Sequence, residues 1–401
     1  MSGCKLPSVS PAGFLRIANG GAHAGGSDAA CRRLLEIANE ADLDLVHTRS
    51  VDLLHRGDEH FARVVRSIEV ASREICIEMY QTRPDPVGWR ICSALADAAS
   101  RGVQVRLLLD RFGSSSISGW LTTLRRFGVA VQWYRPWRPW SNPFHRTHRK
   151  LVVIDGLVAS IGGINFAAEF SETLSGKSTW RDVALWGEGR AAWTLRRQFD
   201  AAWRASGGGH GSPVEVPRGS GTLCALSGPK ETGARQAAAY LALTNTAREE
   251  LALATPYFLP DRSMTMALLH AARRGVRVLV VVPRHNDIWL FKHGARRRFR
   301  RLLDAGVAIW ERCDRMVHAK VAVADSMVAA LGSTNLNRLS FHGNSETLML
   351  TAEAKIVSQV RELIVNESAM TADRLSSRSW VDHSDRRLFA EFAAQPLACF
   401  L

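Results

Sequence analysis

No stretch of this 401-residue chain approaches the ~20 consecutive apolar residues that a membrane-spanning helix needs. If such a chain acts on lipid, it works from the membrane surface. The N-terminal apolar patch is broken by Arg16, which argues against a secretory signal. Cysteine is sparse and unpatterned. The seven residues, an odd number, stand at 4, 31, 76, 92, 224, 313 and 399 with no C-x-x-C pair. That spacing supplies neither a disulfide frame nor a zinc site, and it suits reduced thiols in a cytosolic compartment. Acidic residues are outnumbered, 38 against 52 Lys and Arg, giving a net charge of +14. With a pI near 10.1, the balance points to an anionic partner, nucleic acid or an acidic lipid surface. The rest is ordinary for a globular protein, 46% hydrophobic and 22% charged. The length exceeds one usual core and implies two domains or a duplicated one.

What the chain does have is a repeated motif. His148 to Asn165 reads HRKLVVIDGLVASIGGIN, and His318 to Asn335 reads HAKVAVADSMVAALGSTN. His148, Lys150, Asp155, Gly162 and Asn165 fall in the same register as His318, Lys320, Asp325, Gly332 and Asn335. Leu151 to Ile154 and Val321 to Ala324 are short apolar runs that read as strands buried on both faces. Residues two apart on a strand point the same way, so His148 projects with Lys150 and His318 with Lys320. An imidazole beside an ammonium suits an anionic phosphate. The imidazole can attack phosphorus or move a proton near neutral pH, and the lysine supplies charge at the transferring oxygens. Gly162-Gly163 and Gly332-Ser333 lack bulk and let backbone approach a ligand. Asn165 and Asn335 offer amide donors to phosphate oxygens. A single copy of the motif reads as readily as a buried strand with a solvated mouth. Two copies matching at every polar position do not.

The repeat extends beyond the motif. Ala94 to Asp110 (ALADAASRGVQVRLLLD) is echoed by Ala267 to Pro283 (ALLHAARRGVRVLVVVP), 173 residues on. Helix and strand periods alternate in the same order in both halves, which predicts α/β layers with each half burying its own sheet. The Gly-Ser-Pro stretch at 206–213 is the clearest linker. The division expected is an N-terminal extension over 1–50, a first half over 51–211, a second over 212–370 and a tail over 371–401. Residues 29–41 have helical periodicity, and 386–394 could form a short helix.

The chain resembles the phospholipase D superfamily, whose signature is H-x-K-(x)4-D followed by a glycine/serine pair and Asn. Within it the likeness is greatest to bacterial cardiolipin synthases lacking transmembrane helices, over about residues 51–370. The resemblance is carried by Gly57, Phe61, Tyr80, Arg101-Gly102-Val103, the two motifs, Trp180-Arg181-Asp182, Pro256-Tyr257-Phe258 and Glu346. Asn337, where such enzymes usually carry Asp, departs from it. The resemblance implies two phospholipase-D-like α/β/α sandwich halves with mixed central sheets, related by a pseudo-twofold axis. It also implies phosphatidyl transfer through a phosphatidyl-histidine, with no metal and no cofactor. His148, Lys150, Asp155, His318, Lys320 and Asp325 would form the catalytic set, with His148 the nucleophile. Gly163, Ser333, Asn165 and Asn335 would bind substrate, and Asp182 and Glu346 would orient the imidazoles. From position alone, Asp155 and Asp325 end their strands and read equally as turn caps.

The expected partners are a phosphatidylglycerol-like phospholipid and an anionic membrane surface, with no nucleic acid. The expected location is peripheral, on the cytoplasmic face of the cell membrane. The aromatic and arginine run from Trp133 to Trp140 suits a bilayer interface, base stacking or a lid over the site. Arg296 to Arg301 reads as a basic helix face. Phospholipase D hydrolysis, a nuclease of the same superfamily and a non-catalytic binding descendant are the competing functions.

Overall fold

The computed structural model describes residues 26–134, 145–211, 213, 215–217, 221–228, 233–288, 296–369 and 372–375. The first half is built from β2 (Val51–Leu54), α2 (Gly57–Val70), β3 (Glu74–Met79), α3 (Pro86–Ser100), β4 (Gln104–Leu109), α4 (Ser118–Arg126) and β5 (Ala130–Trp133). The motif hairpin β6 (Lys150–Ile154) and β7 (Val158–Gly162) follows, then β8 (Ala184–Glu188) and α5 (Arg190–Ala205). Its seven strands lie in the order β2-β8-β7-β6-β3-β4-β5.

The second half repeats this order with β9 (Thr222–Ser227), α6 (Ala234–Thr246), β10 (Glu250–Ala254), α7 (Arg262–Arg273), β11 (Arg277–Pro283), α8 (Arg296–Asp304) and β12 (Ala308–Arg312). Its motif hairpin is β13 (Val321–Ala324) and β14 (Val328–Gly332), followed by α9 (Arg338–His342), β15 (Leu348–Thr351) and α10 (Ala354–Ala369). The run β9-β15-β14-β13-β10-β11-β12 matches the first sheet strand for strand. In each half the strands joined by α3 and α4, or by α7 and α8, are parallel, while the motif hairpin and its neighbours are antiparallel. The sheets are mixed, as a duplicated phospholipase-D-like architecture requires.

Period-two alternation sorts the strand residues into layers. Ile75, Ile77, Val105, Leu107, Val152 and Ile154 pack under α2, α3 and α4. Their neighbours Cys76, Leu108, Leu151 and Val153 turn inward and meet α5. On the second sheet Leu251, Leu253, Val278 and Val280 face α6 and α7. Ala252, Leu279, Val281 and Val323 face α10 in the same inner core that α5 occupies. The two sheets therefore sandwich α5 and α10 between them. This shared core seats the halves against each other.

Residues 26–48 depart from the expected division. Gly26–Glu40 (α1) packs Leu34 and Ile37 into the second half's outer core. Asp44–Thr48 (β1) pairs antiparallel with β9 as an edge of the second sheet. The chain thus crosses from the second half's sheet to the first between Thr48 and Val51. At the opposite edge, Ala372–Arg374 (β16) pairs with β12, extending the second sheet to nine strands. The helix expected at 386–394 lies outside the described residues. Of the seven cysteines, five lie among the described residues, and all five are free thiols. Among the described residues, no helix is long and apolar enough to cross a membrane.

Candidate active site

His148 stands two residues before β6 and His318 three before β13, at the sheet edge where Met79 pairs with Lys150 and Ala254 with Val321. Two backbone seams join the halves there. His148 N donates to Ser345 O at 2.9 Å and Ser345 N to Arg146 O at 2.8 Å. In the other seam Arg181 N donates to Met316 O at 2.8 Å and His318 N to Arg181 O at 2.6 Å. Each seam carries an acidic residue next in line, Glu346 after Ser345 and Asp182 after Arg181.

The consequence is reciprocal anchoring. Nδ1 of His148 lies 3.1 Å from both Glu346 carboxylate oxygens and 3.1 Å from the Ser333 carbonyl. Nδ1 of His318 lies 2.5 Å from Asp182 Oδ2. The first half's carboxylate serves the second half's imidazole, and the reverse. A neutral ring whose Nδ1–H donates to a carboxylate keeps its lone pair on Nε2, the tautomer assigned here from the partners.

The lysines differ between halves. Lys150 Nζ donates to the His148 carbonyl at 2.6 Å and stands 4.9 Å over the Tyr80 ring. Lys320 Nζ lies 2.7 Å from His318 Nδ1, 3.2 Å from its Nε2 and 3.4 Å from Asp182 Oδ2. The aromatic walls differ too. Tyr80 meets His148 edge-on at 4.8 Å, whereas Phe170, Trp180 and Tyr257 surround His318 at 5.3, 5.2 and 6.3 Å.

All six polar groups are buried, and burial sets their protonation. Burial pulls the His148 imidazole below its usual value against the opposing Glu346 charge. Burial and then Lys320 bring His318 down to about 3. Burial and the charge of Lys320 bring Lys150 down to about 7, and burial brings Lys320 down to about 8. Burial raises both carboxyls, but the facing cations outweigh it: Lys320 and His318 leave Asp182 lowered, and His148 and Lys150 leave Glu346 lowered. At pH 7 the cleft thus holds two carboxylates, two neutral imidazoles, Lys150 near its midpoint and Lys320 mostly charged.

Asp155 and Asp325 are not brought to this cleft. They follow the far ends of β6 and β13, about 16 Å away at ~3.3 Å per strand residue. Both have left-handed backbone, φ +54° and +52°, at the hairpin turns. The Asp155 carboxylate accepts the backbone N–H groups of Ser72, Arg73 and Glu74. Asp325 accepts those of Arg248, Glu249 and Glu250. They tie the hairpin to the strand beside it, the turn-cap role that their position allowed.

Gly163 and Ser333 support the carboxylates. A Cβ at Gly163 would lie 2.2 Å from both Asp182 oxygens, so only glycine leaves room. Ser333 Oγ donates to Glu346 Oε2 at 2.5 Å. Asn165 Oδ1 accepts from Gln81 N at 3.2 Å. Asn335 is buried, and its Oδ1 has no hydrogen-bond partner among the described residues. Asn337 caps α9, accepting from Ser340 N at 2.8 Å, a job that Asn and Asp do equally well. Ser340 Oγ in turn donates to Glu346 Oε1 at 2.8 Å.

Sequence reasoning passed over Arg149, the middle residue of H-x-K. It is fully buried, donating to Glu78 Oε2 at 2.6 Å and, across the seam, to Thr347 Oγ1 at 2.7 Å. The second copy has Ala319 there, so a one-sided charge within a duplicated motif was the available signal. Of the aromatic run, Trp133 is half-buried and Tyr134 buried, while 135–144 lie outside the described residues. Among the described residues, no three His, Cys, Asp or Glu side chains converge as a metal-holding group.

Two like α/β halves closing over paired His-x-Lys motifs define a phospholipase-D-like protein. The chain belongs to the family described as cardiolipin synthase, PLD-like domain, whose model matches residues 64–174 and 240–366. It is 30% identical over 321 residues to a cardiolipin synthase of Halalkalibacterium halodurans, covering 76% of this chain and 63% of that one. It is 30% identical over 372 residues to cardiolipin synthase A of Pseudomonas syringae pv. syringae, covering 90% and 76%. A Geobacillus cardiolipin synthase is 32% identical, with 65% of its length covered. The chain thus spans just under two thirds of the Halalkalibacterium and Geobacillus relatives. In fold it is similar to the phosphatidylserine synthase of Haemophilus influenzae, with a TM-score of 0.69 at 14% identity, covering 94% of this chain and 97% of that one.

Proposed function

We propose that this chain transfers phosphatidyl groups between phospholipids through a phosphatidyl-histidine, as a cardiolipin synthase does, from the cytoplasmic face of the cell membrane. The observation that carries the reading is the reciprocal anchoring of His148 and His318, each with Nδ1 held by a carboxylate of the opposite half. The relatives' shared activity supplies the substrate class.

The chemistry follows from the electrostatics. A phosphodiester anion entering between the lysines raises the pKa of every neighbouring base, so His318 takes up a proton and both lysines are charged. His148 Nε2, which no lysine contacts among the described residues, attacks phosphorus. The N–P bond forms as the P–O bond to the leaving alcohol breaks. Protonated His318 gives its proton to that oxygen, and glycerol or another alcohol departs. The hydroxyl of a second lipid then gives its proton back to His318 and attacks phosphorus. The N–P bond breaks and His148 is free again. Glu346 stabilises the cationic character that His148 gains, as Asp182 does for His318.

The test is thin-layer analysis of lipids after incubation with phosphatidylglycerol vesicles, with and without phosphatidylethanolamine. Cardiolipin with released glycerol is expected, and His148→Ala abolishes both. Phosphatidic acid as the sole product would put water in the acceptor's place. Unchanged lipid together with nicked plasmid would replace the lipid reading with a nuclease.

A further inference from the structure

Outside the cleft, a second feature of the same sheet edge has the make-up of an anion site. Helices α7 and α8 lie side by side on the outer face of the second half. A pocket of about 350 Å³ opens between them, lined by Arg262, Thr265, Met266 and Leu269 of α7 and Arg298 and Arg301 of α8. Three guanidinium groups thus edge an apolar floor. Arg262 and Arg301 are exposed, and neither pairs with a carboxylate among the described residues. The acid of α8, Asp304, is taken by Arg300 at 4.0 Å. Arg298 donates to the carbonyls of Leu259 and Pro260, which fixes the α8 side of the pocket to the loop entering α7.

The position matters as much as the composition. α7 starts directly after the loop that leaves β10 at Ala254, whose partner Val321 follows Lys320. The pocket therefore lies on the helix pair whose α7 begins at the cleft's edge of the sheet. The duplication supplies an internal comparison, because Arg262 stands 173 residues after Trp89, the offset that aligns the two helix-strand units. In the first half Trp89 packs at a tilt against Trp120 of α4, ring centroids 4.7 Å apart, and is 59% exposed. The scaffold is the same, but one half presents indoles at the rim and the other an arginine-lined pocket. Indole rings and guanidinium groups on one edge match the headgroup level of a bilayer.

We propose that the α7–α8 pocket seats the phosphate of an anionic phospholipid in the bilayer, separate from the lipid being transformed, and so holds the cleft mouth to the membrane. The volume lies at the low end for small-molecule sites, ~300–1,000 Å³, enough for a headgroup and not for two acyl chains. Arg262 and Arg301 bind the phosphate oxygens, while Met266 and Leu269 meet the first carbons of the chains. The inference rests on the lipid reading of the cleft only for its choice of a bilayer over other phosphates.

Sedimentation with vesicles tests it without turnover. Wild type, Arg262→Gln/Arg301→Gln and a control pair, Arg126→Gln/Arg273→Gln, are compared on phosphatidylcholine vesicles with and without 20% phosphatidylglycerol. The control residues are exposed near the C-terminal ends of α4 and α7, away from the cleft edge, and remove the same charge. Each charge at an anionic surface is worth about fivefold in binding, so the pocket pair should lose roughly 30-fold and the control pair under threefold. Activity on dihexanoyl phosphatidylglycerol below its micellar concentration should be unchanged by either pair. Equal losses in the two pairs would reduce the effect to bulk charge and overturn the proposal. So would a pocket pair that binds vesicles normally but loses a 20-nucleotide single strand. Absence of lipid product in every variant would sink the reading of the cleft and leave the binding result to stand or fall by itself.

Discussion

Lys150 gives the sharpest test of the cleft's electrostatics. Burial and the neighbouring Lys320 hold its pKa at about 7, so at pH 8 it is about nine-tenths neutral. A tetrahedral dianion such as tungstate restores a charge beside it, and the lysine must take a proton from the buffer. The lysine pKa is lowered in the empty site and raised by the anion, so uptake is large above pH 7 and fades below it. Lys150 alone should take up about 0.9 proton at pH 8 and about 0.2 at pH 6.5. Lys320, at about 8, adds about 0.5 at pH 8. Recharging the lysines at pH 8 draws on the binding energy, so tungstate should bind on the order of tenfold more weakly at pH 8 than at pH 6.5. Titration calorimetry in buffers of different ionisation enthalpy reads the proton number directly. The decisive quantity is wild type minus Lys150→Met. A difference that is equal at the two pH values would refute the account of Lys150 as a buried, half-neutral base.

The histidines should separate by leaving group. A p-nitrophenyl phosphatidyl ester needs no proton for its departing oxygen, so His318→Asn should keep a burst of p-nitrophenol that His148→Asn loses, seen by stopped-flow absorbance. Glu346→Gln should lower kcat by 10²–10⁴ through misorientation of His148 while Lys150 keeps its contact with the His148 carbonyl, measured on phosphatidylglycerol vesicles. Gly163→Ala drives a Cβ to 2.2 Å from the Asp182 carboxylate and should cost at least 100-fold in kcat, with the protein still folded by circular dichroism. Asp155→Ala removes the acceptor of three backbone N–H groups, of which only that of Glu74 is shielded from water, and puts alanine at φ +54°, so it should lower stability by about 1–3 kcal/mol in urea. Turnover per folded molecule should stay within threefold, because that carboxylate is remote from the cleft.

Much of the site was legible because the motif is local. Strand period fixes His148 with Lys150 and His318 with Lys320, and the matched register makes a pair of them. What went unread is what depends on docking. The family resemblance implies that Asp182 and Glu346 orient the imidazoles but does not say which serves which histidine, and across the seam each carboxylate meets the histidine of the other half. Asp155 shares the motif without sharing the cleft, because a strand carries its two ends to opposite edges of a sheet. β1 read as part of an extension because pairing with β9, nearly 180 residues on, leaves no local trace. α6 escaped notice because the repeat offset drifts. It is 170 at the motif and 173 at α3 and α7, and it shifts again where Gly57 and Gly233 open α2 and α6. Those two glycines make equivalent contacts, at 1.8 Å to Phe170 O and 1.9 Å to Ser340 O from a built Cβ, so the correspondence is visible only in space.

Reciprocal anchoring also explains why two copies are joined in one chain. A half that folded alone would present a histidine with no carboxylate at Nδ1 and a carboxylate with no histidine. Asp182 and Glu346 would likewise lack the imidazoles and lysines that the opposite half brings to them. Docking fixes the tautomer of both imidazoles at once, and the shared core around α5 and α10 supplies the apolar area that holds the seam closed. The contacts that bring the halves together thus also hold both imidazoles in place. Arg149 adds to this, because its single guanidinium joins Glu78 of its own half to Thr347 of the other beneath His148. Losing it would remove the cation that faces Glu78 in the core, at a cost of about 3–5 kcal/mol, and would slacken the seam on the side of His148.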